Sequence, residues 1–178
     1  MRKAIVTRRL IIAASVLASL LLPSTARAEL TRIEMKIAGM DCATCAHGVS
    51  VAIRKLLGVD AVDVSLDRGL ALIQLRRGNR VTLQELRQLV KHTGFASREA
   101  TVTVIGELQP DPGGAALSVT GPGTMLTLVA DTARPNAYKT VRERLAGTAR
   151  GITLIGVVEE KPGKDGRDRL VVHEITGQ

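Results

Sequence analysis

The stretch IEMKIAGMDCATCAHGVSVAIRKLLG, residues 33–58, decides the fold of the first half of the chain. It begins with apolar and charged side chains in strict alternation, and this period of two predicts a strand. A loop that begins with glycine follows. Apolar residues then recur at helical spacing, which predicts a helix from about residue 45 to residue 57. The glycine at position 58 is the type of residue that ends a helix.

The next forty residues add two strands, a second helix and the start of a fourth strand. Alternating apolar residues over 62–66 and 71–75 predict a β-hairpin. Thr82 and Glu85 have the spacing of a capping box, so a helix is predicted to start there. Another strand begins at Phe95. The order β-α-β-β-α-β predicts a ferredoxin-like domain over residues 29–99.

The pattern changes after residue 100, where strands and turns dominate. Five strands are predicted at about 102–108, 117–119, 125–130, 152–158 and 170–175, with a helix at 135–145. Five strands with a helix between the third and the fourth follow the order of an OB-fold. The predicted fold class is therefore α+β: the ferredoxin-like domain is followed by a small OB-like five-stranded β-barrel with one helix over residues 100–178.

The first 28 residues have the composition of a leader. Basic residues precede an apolar run over 10–22, which is short for a membrane span, and Ala26-Arg27-Ala28 resembles a cleavage site. We therefore expect residues 1–28 to be a signal peptide and the mature chain to begin at Glu29. The protein would then be periplasmic or secreted, with no stable membrane insertion after cleavage. An uncleaved membrane anchor is the alternative.

The charge of the chain depends strongly on this leader. Five of the 25 basic residues and none of the 17 acidic residues lie in the first 28 positions, so the rest carries a net charge of only about +3. The chain also has one Tyr, one Phe and no Trp. Without a basic footprint or aromatic platforms for bases, nucleic acid is not an expected partner.

Both cysteines of the chain, Cys42 and Cys45, lie in the loop after the first strand. Cys45 is predicted in the first helical turn, where backbone N–H groups favour thiolate. Two thiolates at this spacing can converge on one soft metal ion. A structural zinc site would need four ligands, and the chain has no second cysteine pair. The same two residues could instead form a structural disulfide or act in thiol redox chemistry.

Residues 31 to about 99 resemble the heavy-metal-associated domain family, which includes copper chaperones, N-terminal modules of metal-pumping P-type ATPases and the periplasmic mercury-binding protein. The resemblance rests on Gly39-Met40-Asp41-Cys42-Ala43-Thr44-Cys45, Val49, Gly58-Val59 and Gly94-Phe95. It implies that Cys42 and Cys45 bind the metal and that Met40 shapes the loop from beneath. Phe95 stands where relatives carry tyrosine or lysine, so its ring would shield the loop without donating a hydrogen bond.

Asp41 is the residue that could discriminate among metals. Two thiolates and a monovalent ion leave one negative charge, whereas a divalent ion leaves none. A carboxylate about 4 Å away would destabilise the site with the monovalent ion by roughly 4 kcal/mol at an effective dielectric constant of about 20. By resemblance, the sequence GMDCxxC is similar to modules of zinc, cadmium and lead pumps, where this aspartate can complete the site. Asp41 is thus a candidate third ligand, and a solvated turn residue is the alternative.

The three histidines have simpler expected roles. His47 is expected to be exposed on the first helical turn, His92 to cap carbonyls at the end of the second helix, and His173 to be an ordinary strand residue. No nucleophile–base pair, carboxylate dyad or phosphate-binding loop is evident over residues 101–178. We therefore expect no catalytic residue, no organic cofactor and no enzymatic activity.

These observations lead to one leading functional hypothesis and one alternative. The leading hypothesis is an exported carrier that binds one soft metal ion, Cu(I), Hg(II) or Zn(II)/Cd(II), and passes it to a transporter or another metal-accepting protein. The second half would be a docking or positioning module. The alternative is a periplasmic thiol-disulfide redox protein that uses the same cysteine pair.

Overall fold

The structure is a computed structural model that describes residues 29–119, 124–145 and 151–177. The described strands are β1 (Glu29–Ala38), β2 (Val59–Ser65), β3 (Leu70–Leu75), β4 (Ala96–Asp111), β5 (Gly114–Val119), β6 (Thr124–Ala130), β7 (Ile152–Val158) and β8 (Arg169–Thr176). The described helices are α1 (Ala43–Arg54), α2 (Leu83–His92) and α3 (Pro135–Leu145). The predicted leader, residues 1–28, lies outside the described residues. No helix in the described part of the chain is both long and apolar enough to cross a membrane.

The first half has the predicted ferredoxin-like arrangement. Its strands pair antiparallel in the order β2-β3-β1-β4, and α1 and α2 pack against the sheet and against each other. The alternation in β1 buries one row of side chains completely or nearly so, because these face the two helices. The residues of this shared core include Ile33, Met35, Ile37, Val49, Ile53, Ile73, Leu86 and Val90. This core holds the start of α1 against the end of β1.

The strands of the second half pair in a closed cycle. β4 pairs with β5, β5 with β6 and β7 with β8, all antiparallel, while β6 and β8 are parallel. β7 then pairs antiparallel with β4 and completes the cycle. The five strands and α3 lie at the positions that the hydrophobic pattern predicts. Buried side chains such as Leu117, Leu154 and Leu170 form the core of this half.

The two halves share β4, which is 16 residues long. Residues 100–105 of β4 pair with β1 on one side and with β7 on the other. The predicted domain boundary between residues 99 and 100 thus falls inside one continuous strand. In the first half alone β4 would be an edge strand with unpaired backbone groups, and β7 covers that edge.

Side chains also join the two halves. Arg87 of α2 donates to the Asp168 carboxylate at 3.2 Å and to the Glu159 carbonyl at 2.6 Å. The side chains of Arg87 and Asp168 are only 15% and 20% exposed. A more exposed pair, Arg98–Glu160 at 3.2 Å, lies nearby. The sheet and these pairs make the halves one packed body.

Candidate metal centre

The cysteine loop is shaped by a glycine at the end of β1. Gly39 has φ +89°, a left-handed conformation that favours glycine, and it turns the chain from the strand toward α1. A Cβ atom at Gly39 would lie 3.7 Å from the ring of Phe95. The Phe95 ring therefore lies against the loop, as the sequence predicted. Met40 is half-buried and packs on the core beneath the loop, in agreement with its expected shaping role.

Cys42 is the residue that starts α1. It has extended backbone angles, φ −136° and ψ 148°, and its sulfur accepts a hydrogen bond from the Cys45 backbone N–H at 3.1 Å. Its carbonyl accepts from the N–H groups of Cys45 and Ala46 at 3.0 and 3.1 Å. The predicted helix span of 45–57 is therefore wrong by two to three residues: α1 begins at Ala43 and ends at Arg54. Sulfur is not among the usual N-cap acceptors, which is why sequence rules missed this start.

Thr44 is a contributor that the sequence reasoning missed. Its hydroxyl oxygen lies 3.1 Å from the Cys42 sulfur, within hydrogen-bonding distance. Together with the Cys45 N–H and the positive end of α1, a hydroxyl donor would stabilise a thiolate at Cys42. The only sequence signal is a hydroxyl residue between the two cysteines.

Cys42 and Cys45 are joined by a disulfide, with a Cα–Cα separation of 5.2 Å. Each residue is partly exposed. In this oxidised form neither sulfur is a thiolate, and the thiolate is the form in which cysteine binds a metal ion. Gain of two electrons would break the bond and release two thiolates on the same turn, three residues apart.

Asp41 is the third donor at this turn. One carboxylate oxygen of Asp41 and the two sulfurs all lie within 4.8 Å of one another. Among the described residues, no other group of three or more His, Cys, Asp and Glu side chains converges in this way. The Asp41 side chain is exposed, so water screens its charge. The structure therefore brings together all three residues that the sequence singled out as candidate ligands.

The histidines do not join this group. His47 is exposed and lines a shallow groove between α1 and β2. His92 is exposed at the last position of α2, but Thr93 caps this helix end instead, since its hydroxyl donates to the Val90 carbonyl at 2.7 Å. The expected capping role of His92 is thus not seen among the described contacts. His173 lies on β8, with its Nε2 atom 3.6 Å from the Asp131 carboxylate, a pair that the sequence did not indicate.

Comparison with known proteins agrees with the architecture of the first half. The model of the heavy-metal-associated domain family matches residues 34–96. No curated protein matches the chain.

Solved structures similar to this chain include a copper-binding domain, a metallochaperone and the N-terminal domain of PacS. A copper-binding domain from a P-type ATPase is 25% identical over 38% of this chain and 89% of its own, with a TM-score of 0.36. The CopZ metallochaperone is 22% identical over 38% of this chain and 98% of its own, with a TM-score of 0.36. The N-terminal domain of PacS from Synechocystis is 30% identical over 38% of this chain and 92% of its own, with a TM-score of 0.34.

The family match covers the β-α-β-β-α-β unit from the middle of β1 to the start of β4, with the cysteine loop inside it. The first half of this chain belongs to the heavy-metal-associated domain family.

Proposed function

We propose that this protein is a carrier of a single soft or borderline metal ion, held by the thiolates of Cys42 and Cys45 once their disulfide is reduced. The observation that carries the proposal is the convergence of three donor atoms within 4.8 Å at the start of α1, inside the segment that matches the heavy-metal-associated family. Two sulfur ligands leave the metal accessible to an incoming ligand. An accessible ion suits transfer better than permanent storage.

The candidate cargo is Cu(I), Hg(II), Zn(II) or Cd(II), one ion per chain. Cu(I) and Hg(II) are satisfied by two linear thiolates, whereas Zn(II) and Cd(II) gain from the Asp41 carboxylate as a third ligand. The proposed acceptor is a metal-transporting membrane protein or another metal-binding protein. The proposed compartment is the periplasm or the extracellular space, and this proposal rests on the composition of residues 1–28 alone.

The second half is proposed to be an OB-type barrel that docks or positions the carrier. The support is the cycle of pairings β4-β5-β6-β8-β7, in which the only parallel pair among the described strands joins β6 and β8. No catalytic role is proposed for it. OB-type modules commonly serve recognition of other molecules.

A thiol-disulfide redox protein is the second candidate, because the two cysteines lie close enough to form a disulfide. In that reaction a substrate thiolate attacks one sulfur of the bridge and forms a mixed disulfide, and the other cysteine leaves as thiolate. A second substrate thiolate then displaces the first cysteine. The substrate dithiol is oxidised to a disulfide by two electrons, and Cys42 and Cys45 are reduced.

Metal titration of the reduced and oxidised protein tests the leading proposal. With a competing chelator, the reduced protein should bind one Cu(I) or Zn(II) per chain, and the oxidised protein should bind neither at this site. Cys42→Ser and Cys45→Ser should each abolish tight binding without changing the circular dichroism spectrum. A single variant that keeps near-native affinity contradicts a two-thiolate site. Rapid catalysed disulfide exchange without metal binding would favour the redox candidate.

A further inference from the structure

A cavity of about 240 Å³ lies between the two halves, far from the cysteines. It is bounded by the start of β1 and by the segment that leads into α2. The second half contributes the end of β5, the start of β6 and the end of β7. Because β1 has ten residues and rises about 3.3 Å per residue, the cavity and the cysteine loop lie about 30 Å apart at opposite ends of this strand. The cavity is therefore separate from the candidate metal centre.

The walls of the cavity are mostly apolar and come from both halves. Leu30, Val81 and Leu83 contribute from the first half, and Val119, Leu126 and Val158 from the second. All six are buried side chains. An apolar cavity of about 150 Å³ is large enough to bind benzene, so this one has room for a body of about ten non-hydrogen atoms. Interfaces between domains are a frequent location of small-molecule sites.

The polar end of the cavity carries a nearly buried carboxylate. Glu29 is 7% exposed, and one of its carboxylate oxygens accepts the backbone N–H of Gly78. Among the described residues, none donates a hydrogen bond to the other oxygen, and no arginine or lysine forms an ion pair with it. A buried carboxylate is costly unless a donor or a cation reaches it.

Two other charged residues line the cavity: Arg80, which is exposed to solvent, and Asp168, whose carboxylate is neutralised by an arginine. Asp168 lines the same cavity and is held by Arg87 at 3.2 Å. Glu29 thus has a carboxylate oxygen that can accept a hydrogen bond from a ligand. The negative charge of this carboxylate would repel an anionic ligand head.

We propose that this cavity is a binding site for a small amphipathic molecule with an apolar body of about ten non-hydrogen atoms and a head that donates a hydrogen bond and is not anionic. The apolar body of the ligand lies against the apolar side chains that both halves contribute to the cavity wall. The head, a hydroxyl or an ammonium group, donates to the Glu29 carboxylate. This proposal does not depend on the metal site.

Two probes of nearly equal shape test the site on the full chain. 2-Phenylethanol carries a donor head and phenylacetate an anionic one. By NMR titration, the alcohol should bind with a Kd below about 1 mM, at least tenfold more tightly than phenylacetate, with shifts confined to the cavity walls. Absence of saturable binding of the alcohol, or equal affinity for both probes, would overturn the proposal.

Three variants locate the site and its selectivity. Val81→Phe fills the cavity and should abolish binding of the alcohol, whereas Val51→Phe, on the exposed face of α1 where the side chain is 39% exposed, should leave it unchanged. Glu29→Gln removes the charge and should reduce the preference over phenylacetate to less than threefold. Metal binding and the melting temperature of each variant verify that it is folded. Unchanged selectivity in Glu29→Gln would contradict the role of this carboxylate.

Discussion

Replacement of Asp41 by asparagine tests whether this residue is a third metal ligand or a solvated turn residue. The change keeps the size of the side chain and removes its charge. The carboxylate oxygen lies within 4.8 Å of both sulfurs, and a unit charge at that distance contributes about 3.5 kcal/mol at an effective dielectric constant of about 20. Because Asp41 is exposed, water and salt reduce this ceiling to about 1–2 kcal/mol.

The expected effect on affinity therefore differs between Zn(II) and Cu(I). Asp41→Asn should weaken Zn(II) binding about 5- to 30-fold, since the divalent site loses a ligand and a negative charge. Cu(I) affinity should stay the same or rise, because the bis-thiolate Cu(I) site already carries a net negative charge. Competition titrations on reduced protein at one pH measure both, since thiolate formation is itself linked to metal binding.

A remote change of the same charge provides the control. Glu174→Gln, on β8 in the second half, removes one negative charge from an exposed position and should shift neither affinity. Equal shifts for zinc and copper in Asp41→Asn would refute the reasoning and leave Asp41 as a turn residue.

The remaining predictions concern stability and are tested by chemical denaturation. Arg87→Met should lower the free energy of unfolding by about 1–3 kcal/mol, because it leaves a largely buried carboxylate unpaired, whereas Arg98→Met, whose pair is exposed, should cost less than about 0.5 kcal/mol. Gly156→Ala should cost more than about 2 kcal/mol, because its Cβ would lie 2.3 Å from a backbone oxygen of β8, whereas Gly48→Ala, with open space on α1, should stabilise by about 0.5–1 kcal/mol. A smaller effect of Arg87→Met than of Arg98→Met, or a neutral Gly156→Ala, would contradict these assignments.

The periodicity of the sequence was sufficient to predict most of the elements. Strict alternation in β1 and helical spacing in α1 arise because one face of each is buried in a single core, and that core also fixes the order β-α-β-β-α-β. The cysteine spacing, together with the glycine before it, was sufficient to locate the candidate ligands. Each of these signals is local, so it is present in the sequence itself.

The features that could not be predicted depend on contacts between distant residues. The run Ser97-Arg98-Glu99 interrupts the apolar alternation, so β4 appeared to be two strands, although pairing with β1 and β7 makes it one. The N-cap role of Cys42 depends on the direction of its sulfur. The cavity at Glu29 forms only when both halves are packed together, and no sequence window contains its walls.

The most direct test of the central claim is X-ray absorption spectroscopy of the reduced protein loaded with one equivalent of Zn(II). Ligation by Cys42 and Cys45 predicts two sulfur atoms at about 2.3 Å and a remaining shell of oxygen or nitrogen at about 2.0–2.2 Å. Cys42→Ser, which should lose tight binding, should also lose the shell of two sulfur atoms. A metal shell of oxygen and nitrogen alone in the reduced wild-type protein would contradict the assignment of this turn as the metal site.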